Sequence, residues 1–501
     1  MKKYLAQKYT VQERIKYCSG QKRYWIMTAL SLFLAGCNTT DVVLDSKVEM
    51  PQQYQQTAAA QGNQASSHLW QHWWQQWNDP QLNALIEQAL HRNFDLAIAR
   101  SRLQEAKAIA SLANAELAPQ VGLSGTLGGQ RAEIDNNLSP AVRQFVGNDD
   151  LSGKGHAATI GAVASWEPDI FGQKRSDADA AQQAAFGAQE QVYGSQILVA
   201  SEIADQYLQA LSVLQQQRLL DRTLHTLQRL QRYVAGRYQA GQVNAYEVSE
   251  IGARVDALKA QQATLQARFA AYQRSIAVLS GQVPQGFKLN EKQMLQADLL
   301  QHLPPPPRGQ LPGDLLSQRP DIRANAALVQ LYAAKLASAK ADLLPRFDIR
   351  FLWQTGRIEL NGDLPSLNGW GSLASVGVQL PIFTAGRIEA NIQAADARLQ
   401  TALLQYDQSI LKALAEVDSS YQAQYGLNRQ TQLLDSAWRK ANRQAQEAEK
   451  LFKYGDKTLD VALRARLDEL NYRQNLLQVR LASGQNLLNL YKAIGSGWQA
   501  E

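Results

Sequence analysis

One stretch of this sequence occurs in two related copies. The first copy reads Ser165-Trp166-Glu167-Pro168-Asp169-Ile170-Phe171-Gly172-Gln173-Lys174-Arg175. The second copy reads Gln379-Leu380-Pro381-Ile382-Phe383-Thr384-Ala385-Gly386-Arg387. Each follows an alternation of apolar and polar residues, and each precedes a long stretch without proline, residues 171–282 and 382–501. Because proline suits a strand end or a first helical turn, the pattern predicts a strand that turns into a very long helix.

The two proline-free stretches predict helical hairpins over about 171–282 and 383–494. They are rich in Ala, Gln, Leu, Arg and Glu, which favour helix. Each is interrupted once by a glycine, in Ala240-Gly241-Gln242 and in Tyr454-Gly455-Asp456. The first arm would measure on the order of 100 Å at 1.5 Å per residue. Antiparallel helices of this length form a coiled-coil hairpin and not a globular core.

Two pairs of strands precede the hairpins, at about 120–166 and 346–381. Strands of about ten residues joined by a polar loop are typical of transmembrane β-strands. Alternation places apolar residues on one face of each pair, namely Ile160, Ala162, Ala164 and Trp166 in the first and Phe347, Ile349, Phe351 and Trp353 in the second.

The whole pattern is repeated within the chain. Pro119 recurs as Pro345 and Asp95 as Asp321, both 226 positions later, whereas Gly241 recurs as Gly455 after 214 positions. This constancy indicates two repeats, residues 68–303 and 313–501, joined by a proline-rich linker over 304–312.

The basic charge of the chain belongs to its first 36 residues. Seven basic residues stand there against one acidic residue, which accounts for the formal net charge of +6. The remainder is balanced and gives no reason to expect a nucleic-acid partner. A short apolar run ends in Leu34-Ala35-Gly36-Cys37, which predicts a signal peptide over 1–36 and acylation of Cys37, including a palmitate chain. An ordinary secretory signal with an incidental cysteine is the alternative. Residues 37–67 then form a lipidated tether.

Four tryptophans follow the tether, at positions 70, 73, 74 and 77. Packing against neighbouring helices is the preferred interpretation over ligand binding. His68 and His72 have a spacing that a metal site could use, but no carboxylate or cysteine completes the set nearby. We therefore predict no metal site and no cofactor beyond the covalent lipid on Cys37.

Four strands cannot close a barrel, and lipid does not tolerate open sheet edges. Several copies must therefore combine their strands, and three copies would give a shared 12-stranded barrel. Since the lipid anchor attaches from the periplasmic side, the helical hairpins are expected to form a tube in the periplasm. The expected architecture is a membrane α+β fold with four transmembrane strands per protomer and an internal two-fold repeat.

The chain resembles the TolC-like outer-membrane factor family, in its NodT-type branch of efflux lipoproteins. The resemblance covers essentially all of the mature chain. Its most specific motifs are Trp77-Asn78-Asp79-Pro80, Trp166-Glu167-Pro168-Asp169-Ile170-Phe171-Gly172, Gln318-Arg319-Pro320-Asp321-Ile322, Leu380-Pro381-Ile382-Phe383 and Gly495-Ser496-Gly497-Trp498.

The resemblance implies a homotrimer in the outer membrane. It would dock through a periplasmic adaptor protein onto an inner-membrane proton-driven transporter and export drugs or other small molecules passively. The implied adaptor contacts are the hairpin tips, Ala240, Gly241, Gln242, Tyr454, Gly455 and Asp456. Termination of a helix explains the two glycines equally well.

The resemblance also implies a periplasmic gate near the second tip. The candidates are Tyr454, Lys457, Asp460 and Arg464, for each of which a solvated charged face is an equal alternative. The interval from Gly455 to Val461 is one residue shorter than that from Gly241 to Val248, which predicts tips of different construction. Arg464 also stands about where relatives often carry an acidic residue.

Other functions explain the sequence less well. No nucleophile elbow, phosphate-binding loop or dinucleotide fingerprint is present in the sequence, so an enzyme is not expected. A purely structural coiled-coil lipoprotein leaves the four strands unexplained. A conduit for type I protein secretion and a heavy-metal efflux channel stay as alternatives. The mature chain has only Met50 and Met294, which disfavours a methionine-based metal relay.

Overall fold

The computed structural model describes residues 47–54, 72–134, 151–307, 311–360 and 366–495. Cys37, His68, Trp70 and the motif after Gly495 lie outside the described residues. Two compact units are present, a strand unit built from 119–173 and 340–382 and a helical unit built from 42–118, 174–339 and 383–501. Each unit therefore takes segments from both sequence repeats.

The strand unit is one antiparallel sheet in the order β1-β2-β3-β4. Its strands are β1 (Gln120–Ile134), β2 (Leu151–Trp166), β3 (Arg346–Leu360) and β4 (Leu367–Gln379). They contain 13 to 16 residues, more than the ten or so that alternation predicts. Strands β2 and β3 pair from Gly155 opposite Leu360 to Trp166 opposite Ile349, which joins the two repeats in one sheet. Strands β1 and β4 are its edges.

The register separates an apolar face from a polar one. Leu123, Ala162, Trp353 and Ser372 lie in one row across the four strands, and the neighbouring rows of this face carry Val121, Ala164, Phe351, Ile349 and Val376. The apolar side chains on this face are largely exposed. The predicted faces, with Ile160 to Trp166 on one strand and Phe347 to Trp353 on another, are confirmed.

Small residues occupy the opposite face. A Cβ at Gly161 would lie 2.8 Å from the carbonyl oxygen of Trp353, and one at Gly377 would collide with the carboxylate of Asp348. Asp348 also accepts a bond of 3.2 Å from Arg350. Most residues on this face are small or polar, although Val163, Leu352 and Leu373 form one apolar row across it. The face is therefore better suited to water than the opposite face is.

The helical unit consists of nine described α-helices with a 3-10 turn at Trp73–Trp77. They are α1 (Pro80–Arg92), α2 (Phe94–Ala115), α3 (Gln173–Gln239), α4 (Ala245–Leu279), α5 (Glu291–Ala297), α6 (Leu315–Gln318), α7 (Pro320–Ala341), α8 (Arg387–Lys453) and α9 (Leu459–Ile494). Helices α3 and α8 each contain 67 residues, about 100 Å at 1.5 Å per residue.

The long helices begin slightly later than the corner motifs predict. Gly172 has φ +78°, and Ala385 and Gly386 have φ +50° and +79°. These left-handed residues finish a turn before the helix starts, so α3 begins at Gln173 and α8 at Arg387. None of the described helices combines the length and hydrophobicity that a membrane crossing needs.

The tryptophans at 73, 74 and 77 are buried in the helical unit. Trp73 stacks on Tyr491 with ring centroids 5.0 Å apart and an interplanar angle of 16°. Packing is thus the role of these three side chains, as the sequence predicts. Asp79 caps α1 by accepting from the N–H groups of Gln81 and Leu82, and its second oxygen accepts the buried hydroxyl of Tyr207 at 2.7 Å.

Candidate functional site

The two hairpin tips share one backbone motif. At the end of α3, Gln242 N donates to Arg237 O at 2.9 Å and Gly241 N to Tyr238 O at 2.9 Å. At the end of α8, the equivalent bonds run from Asp456 to Leu451 and from Gly455 to Phe452. Gly241 has φ +69° and Gly455 has φ +85°. This is the Schellman helix end, which places a left-handed glycine directly after the helix.

The tips also have the same length, which corrects an expectation. The next helix is capped by Asn244 three residues after Gly241, and by Thr458 three residues after Gly455. The shorter interval from Gly455 to Val461 reflects a valine placed one position earlier in α9. The two turns therefore have equivalent backbones, and the prediction that the tips differ in the length of the turn is wrong.

Side chains distinguish the tips from each other. Asn244 accepts from the N–H of Glu247 at 3.2 Å, whereas Thr458 makes no side-chain cap bond. Ala240, Gln242 and Asp456 are exposed, and the ring of Tyr454 is 82% exposed. Arg237 Nε donates to Gln242 Oε1 at 3.3 Å at the first tip. Exposed tyrosines lie at both tips, at positions 238, 246 and 454, whereas charged residues are more numerous at the second tip.

The four gate candidates lie around this second tip without pairing among themselves. Tyr454, Lys457 and Arg464 are exposed, and Asp460 is half-buried in the first turn of α9. The positive end of the helix favours a carboxylate there. Asp460 Oδ1 is buried and has no hydrogen-bond partner in the described part of the chain. Among the described residues, no hydrogen bond or ion pair joins these four side chains to one another.

A cross-helix ion pair near the second tip was missed by sequence reasoning. Arg466 lies 3.7 Å from Glu449 of α8 and 3.4 Å from Glu469 of its own helix. Glu469 also accepts the indole N–H of Trp438 at 2.8 Å. The only sequence signal was the spacing of Arg466 and Glu469 on one helix face. These contacts fix α8 against α9 above the tip.

Residues at the other end of the hairpins form a joint that occurs twice, once in each repeat. In the first repeat, Asn93 Nδ2 donates to Leu279 O at 2.8 Å, and its Oδ1 caps α2 at Leu96 N. In the second repeat, Arg319 Nη1 donates to Ala493 O at 2.7 Å. Each joint ends in a left-handed glycine, at 281 and 495.

The two glycines pack so closely against the joints that neither position has room for a Cβ atom. A Cβ at Gly281 would lie 2.5 Å from Arg92 O, and one at Gly495 would lie 2.8 Å from the Cα of Arg319. Arg319 is 8% exposed and also binds Asp321 at 2.8 Å and Glu416 at 2.9 Å. The joints anchor the returning helices α4 and α9, so they maintain the hairpins rather than contact cargo.

A sheet with one continuous apolar face, in a chain that also forms two helical hairpins whose longer arms measure about 100 Å, defines an outer-membrane channel subunit. The chain belongs to the outer membrane efflux protein family, which it matches over residues 85–281 and 311–496, one segment in each repeat. It is an exit duct for efflux and not an enzyme.

Named relatives cover nearly the whole chain. The pyoverdine export outer membrane protein OpmQ of Pseudomonas aeruginosa is 28% identical over 472 residues, 94% of this chain and 96% of the relative. The cation efflux system protein CusC of Escherichia coli O6:H1 is 26% identical over 471 residues, 94% and 98%. The crystal structure of the Campylobacter jejuni CmeC outer membrane channel is 20% identical with a TM-score of 0.73, covering 91% and 96%, and confirms the TolC-like fold.

Proposed function

We propose that three copies of this chain form a lipid-anchored efflux duct, with the helical hairpins in the periplasm. The observation that carries the proposal is the open sheet. Edge strands β1 and β4 offer 15 and 13 residues whose outer backbone groups need partners. In lipid those groups must be bonded within protein. Pairing β4 of one copy with β1 of the next satisfies them, and three copies give a barrel of twelve strands.

The start of the described chain supports anchoring near the helical unit. Tyr54 is buried and its ring lies 5.8 Å from that of Tyr421, and Val48 and Met50 pack on the same core. Lys47 is ten positions after Cys37, a span of at most about 35 Å. Acyl chains on Cys37 would therefore hold this segment close to the membrane surface.

The hairpin tips are the proposed docking points for a periplasmic adaptor. Ala240, Gly241 and Gln242 form one contact, and Tyr454, Gly455 and Asp456 form the other. The backbone of these turns is already ordered, so the main chain loses little conformational entropy on binding. Through the adaptor the duct receives cargo from an inner-membrane proton-driven transporter, and Tyr454, Lys457, Asp460 and Arg464 close its periplasmic end when the complex is idle.

Small organic molecules are the proposed cargo. One relative is named for pyoverdine export, and another for cation efflux. A methionine relay for soft metal ions has little support, because Met294 is fully buried and Met50 packs on the core. The names of the relatives given above offer no support for type I protein secretion.

Conductance tests the duct directly. The purified acylated protein is inserted in planar bilayers, and discrete channel steps are expected, larger after Asp460→Asn or Lys457→Gln removes a closing contact. Mass measurement of the same preparation should give three chains. Absence of channel steps for the wild type and both variants, or a stable monomer, would contradict the proposal. Cys37→Ser tests the anchor separately, since it should abolish labelling with radioactive palmitate.

A further inference from the structure

A groove of about 260 Å³ lies within the helical unit, between α3, α8, α9 and the segment around α5. Counted along α3 and α8, it lies about 20 to 30 Å from the hairpin tips. Five arginines and two aspartates contribute to its lining, namely Arg218, Arg222, Arg439, Arg473, Arg480, Asp298 and Asp435. The groove is distinct from the tips and from the joints.

The positive charge of this arginine groove is only partly neutralised. Asp435 accepts from Arg439 at 2.7 Å and lies 3.6 Å from Arg480. Asp298 instead accepts the side-chain amide of Gln215 at 2.6 Å. The other three arginines form no ion pair with any described residue, namely Arg218, Arg222 and Arg473. An anion entering the groove would therefore meet guanidinium groups that have hydrogen-bond donors to spare.

Neighbouring groups hold these charges close together. The guanidinium of Arg473 lies 5.6 Å from the ring centroid of Trp438, a cation–π contact that fixes its position. Burial lowers the pKa of Arg480, Asp435 and Asp298 oppose this, and the positive charges of Arg473 and Arg439 lower the pKa further. Like charges kept this close repel each other, and a bound anion would relieve that repulsion.

The spacing of the arginines favours an elongated ligand. Arg218 and Arg222 are one turn apart on α3, about 6 Å, and Arg473 and Arg480 are about 10 Å apart along α9. Guanidinium groups bind carboxylates through paired hydrogen bonds. A row of such groups matches a segment that carries several carboxylates better than it matches one compact oxyanion.

The groove faces outward if the chain forms a duct. The α5 segment packs across the long helices, with Met294, Leu299 and Leu300 in the same core as Leu211 and Leu214. A duct must keep its bore open, so a layer added to the helical wall lies on the outside of that wall. This step and the periplasmic location of the partner named below rest on the proposed function.

We propose that the arginine groove binds a short Asp- or Glu-rich segment of a periplasmic partner protein. The test uses the purified full-length protein in detergent micelles, titrated with fluorescein-labelled hexaglutamate, with hexaglutamine as the reference peptide. Saturable, salt-sensitive binding is expected for hexaglutamate only. The double variant Arg218→Ala/Arg222→Ala should weaken it by about tenfold or more, because two charge-assisted contacts are lost.

A matched control is available on the same helix. Arg229 and Arg232 are exposed and do not line the groove, so Arg229→Ala/Arg232→Ala makes the same change in net charge and should leave binding unaffected. Equal weakening in both double variants would mean nonspecific attraction and would overturn the proposal. Because Arg218 and Arg222 are also exposed, all variants should retain the wild-type circular dichroism spectrum.

Two further experiments distinguish the proposed peptide ligand from a compact phosphate ligand and from a small molecule that binds inside the duct. Tripolyphosphate that binds through Arg218 and Arg222 while hexaglutamate does not would assign the groove to a compact phosphate ligand and overturn the peptide proposal. Hexaglutamate fused to a carrier protein too wide for the bore should bind as well as the free peptide. Binding of the free peptide alone would place the groove inside the duct and exclude a partner protein. Channel conductance, recorded on the same preparations, shows separately whether the duct itself is formed.

Discussion

Arg319 donates a hydrogen bond of 2.7 Å from its guanidinium to the main-chain carbonyl of Ala493. Asn93 makes the corresponding bond to Leu279 in the first repeat, at 2.8 Å. The donors are 226 positions apart and the acceptors 214, the same offsets that relate Asp95 to Asp321 and Gly241 to Gly455. The two repeats therefore preserve one joint while using different side chains to make it.

Removal of the Arg319 side chain should destabilise the helical unit strongly. Arg319→Ala leaves Ala493 O without this donor and Asp321 and Glu416 without their cation. Because these two carboxylates are half-exposed, we expect a cost of about 2–3 kcal/mol, mainly from the buried charge-assisted bond. Asn93→Ala should cost about 1–2 kcal/mol, because it removes a neutral bond and a cap. Urea unfolding followed by circular dichroism measures both. An Arg319→Ala loss no larger than that of Asn93→Ala would show that the ion pairs contribute little.

The two left-handed glycines at 495 and 455 give a matched pair of substitutions. Both have a positive φ, but only Gly495 lacks room for a Cβ, which would lie 2.8 Å from Arg319 Cα. Gly455→Ala should cost about 1 kcal/mol from backbone strain, and Gly495→Ala about 2–3 kcal/mol or more. Thermal unfolding of the two variants should therefore separate them, and equal midpoints would contradict the close contact.

The caps of the two hairpin tips differ in a way that exchange measurements can detect. Asn244→Ala removes a side-chain bond to the first turn of α4, at a cost of about 1 kcal/mol. Thr458 makes no such bond, so Thr458→Ala should change the first turn of α9 by less. Hydrogen–deuterium exchange of the peptides that contain Glu247 and Val461 reports each local effect. A larger acceleration at Val461 in Thr458→Ala than at Glu247 in Asn244→Ala would contradict the assigned caps.

Adjacent residues on β1 provide a test of which sheet face meets lipid. Leu123 lies in the apolar row with Ala162 and Trp353, whereas Ser124 points to the opposite face. Leu123→Arg should cost about 2–4 kcal/mol in the membrane and reduce insertion into the outer membrane. Ser124→Arg adds the same charge on the water-facing side and should insert normally. Membrane fractionation compares them, and equal loss would mean that the faces are not distinguished by lipid.

The alternation of side chains predicted the faces of the sheet because period-two burial is a local property that each strand carries in its own sequence. The corner motifs likewise predicted the start of α3 and α8 within four residues. Local sequence patterns could not predict the two joints. An asparagine and an arginine share no pattern, and their common role appears only when Leu279 and Ala493 lie beside them.

The comparison of the tips failed for a related reason. Val248 and Val461 resemble each other, but the backbone aligns Val461 with Glu247, because the caps Asn244 and Thr458 define the register. A valine is a weak marker of position on a half-buried helix, whereas a left-handed glycine and a cap are fixed by the turn itself. The arginine groove was also missed, since its members come from three helices distant in sequence.

The ladder between β2 and β3 has a consequence for the ancestry of the chain. This ladder joins two half-length repeats, each with a strand pair, a corner and a helical hairpin. It lies within one polypeptide because the linker connects the two repeats. In an ancestor with a single repeat, the same pairing would have been a contact between separate molecules, and six copies of that repeat would have been needed to close the barrel. Fusion of two such halves would convert every second intermolecular contact into an internal one and would leave the two joints free to use different side chains, Asn93 and Arg319.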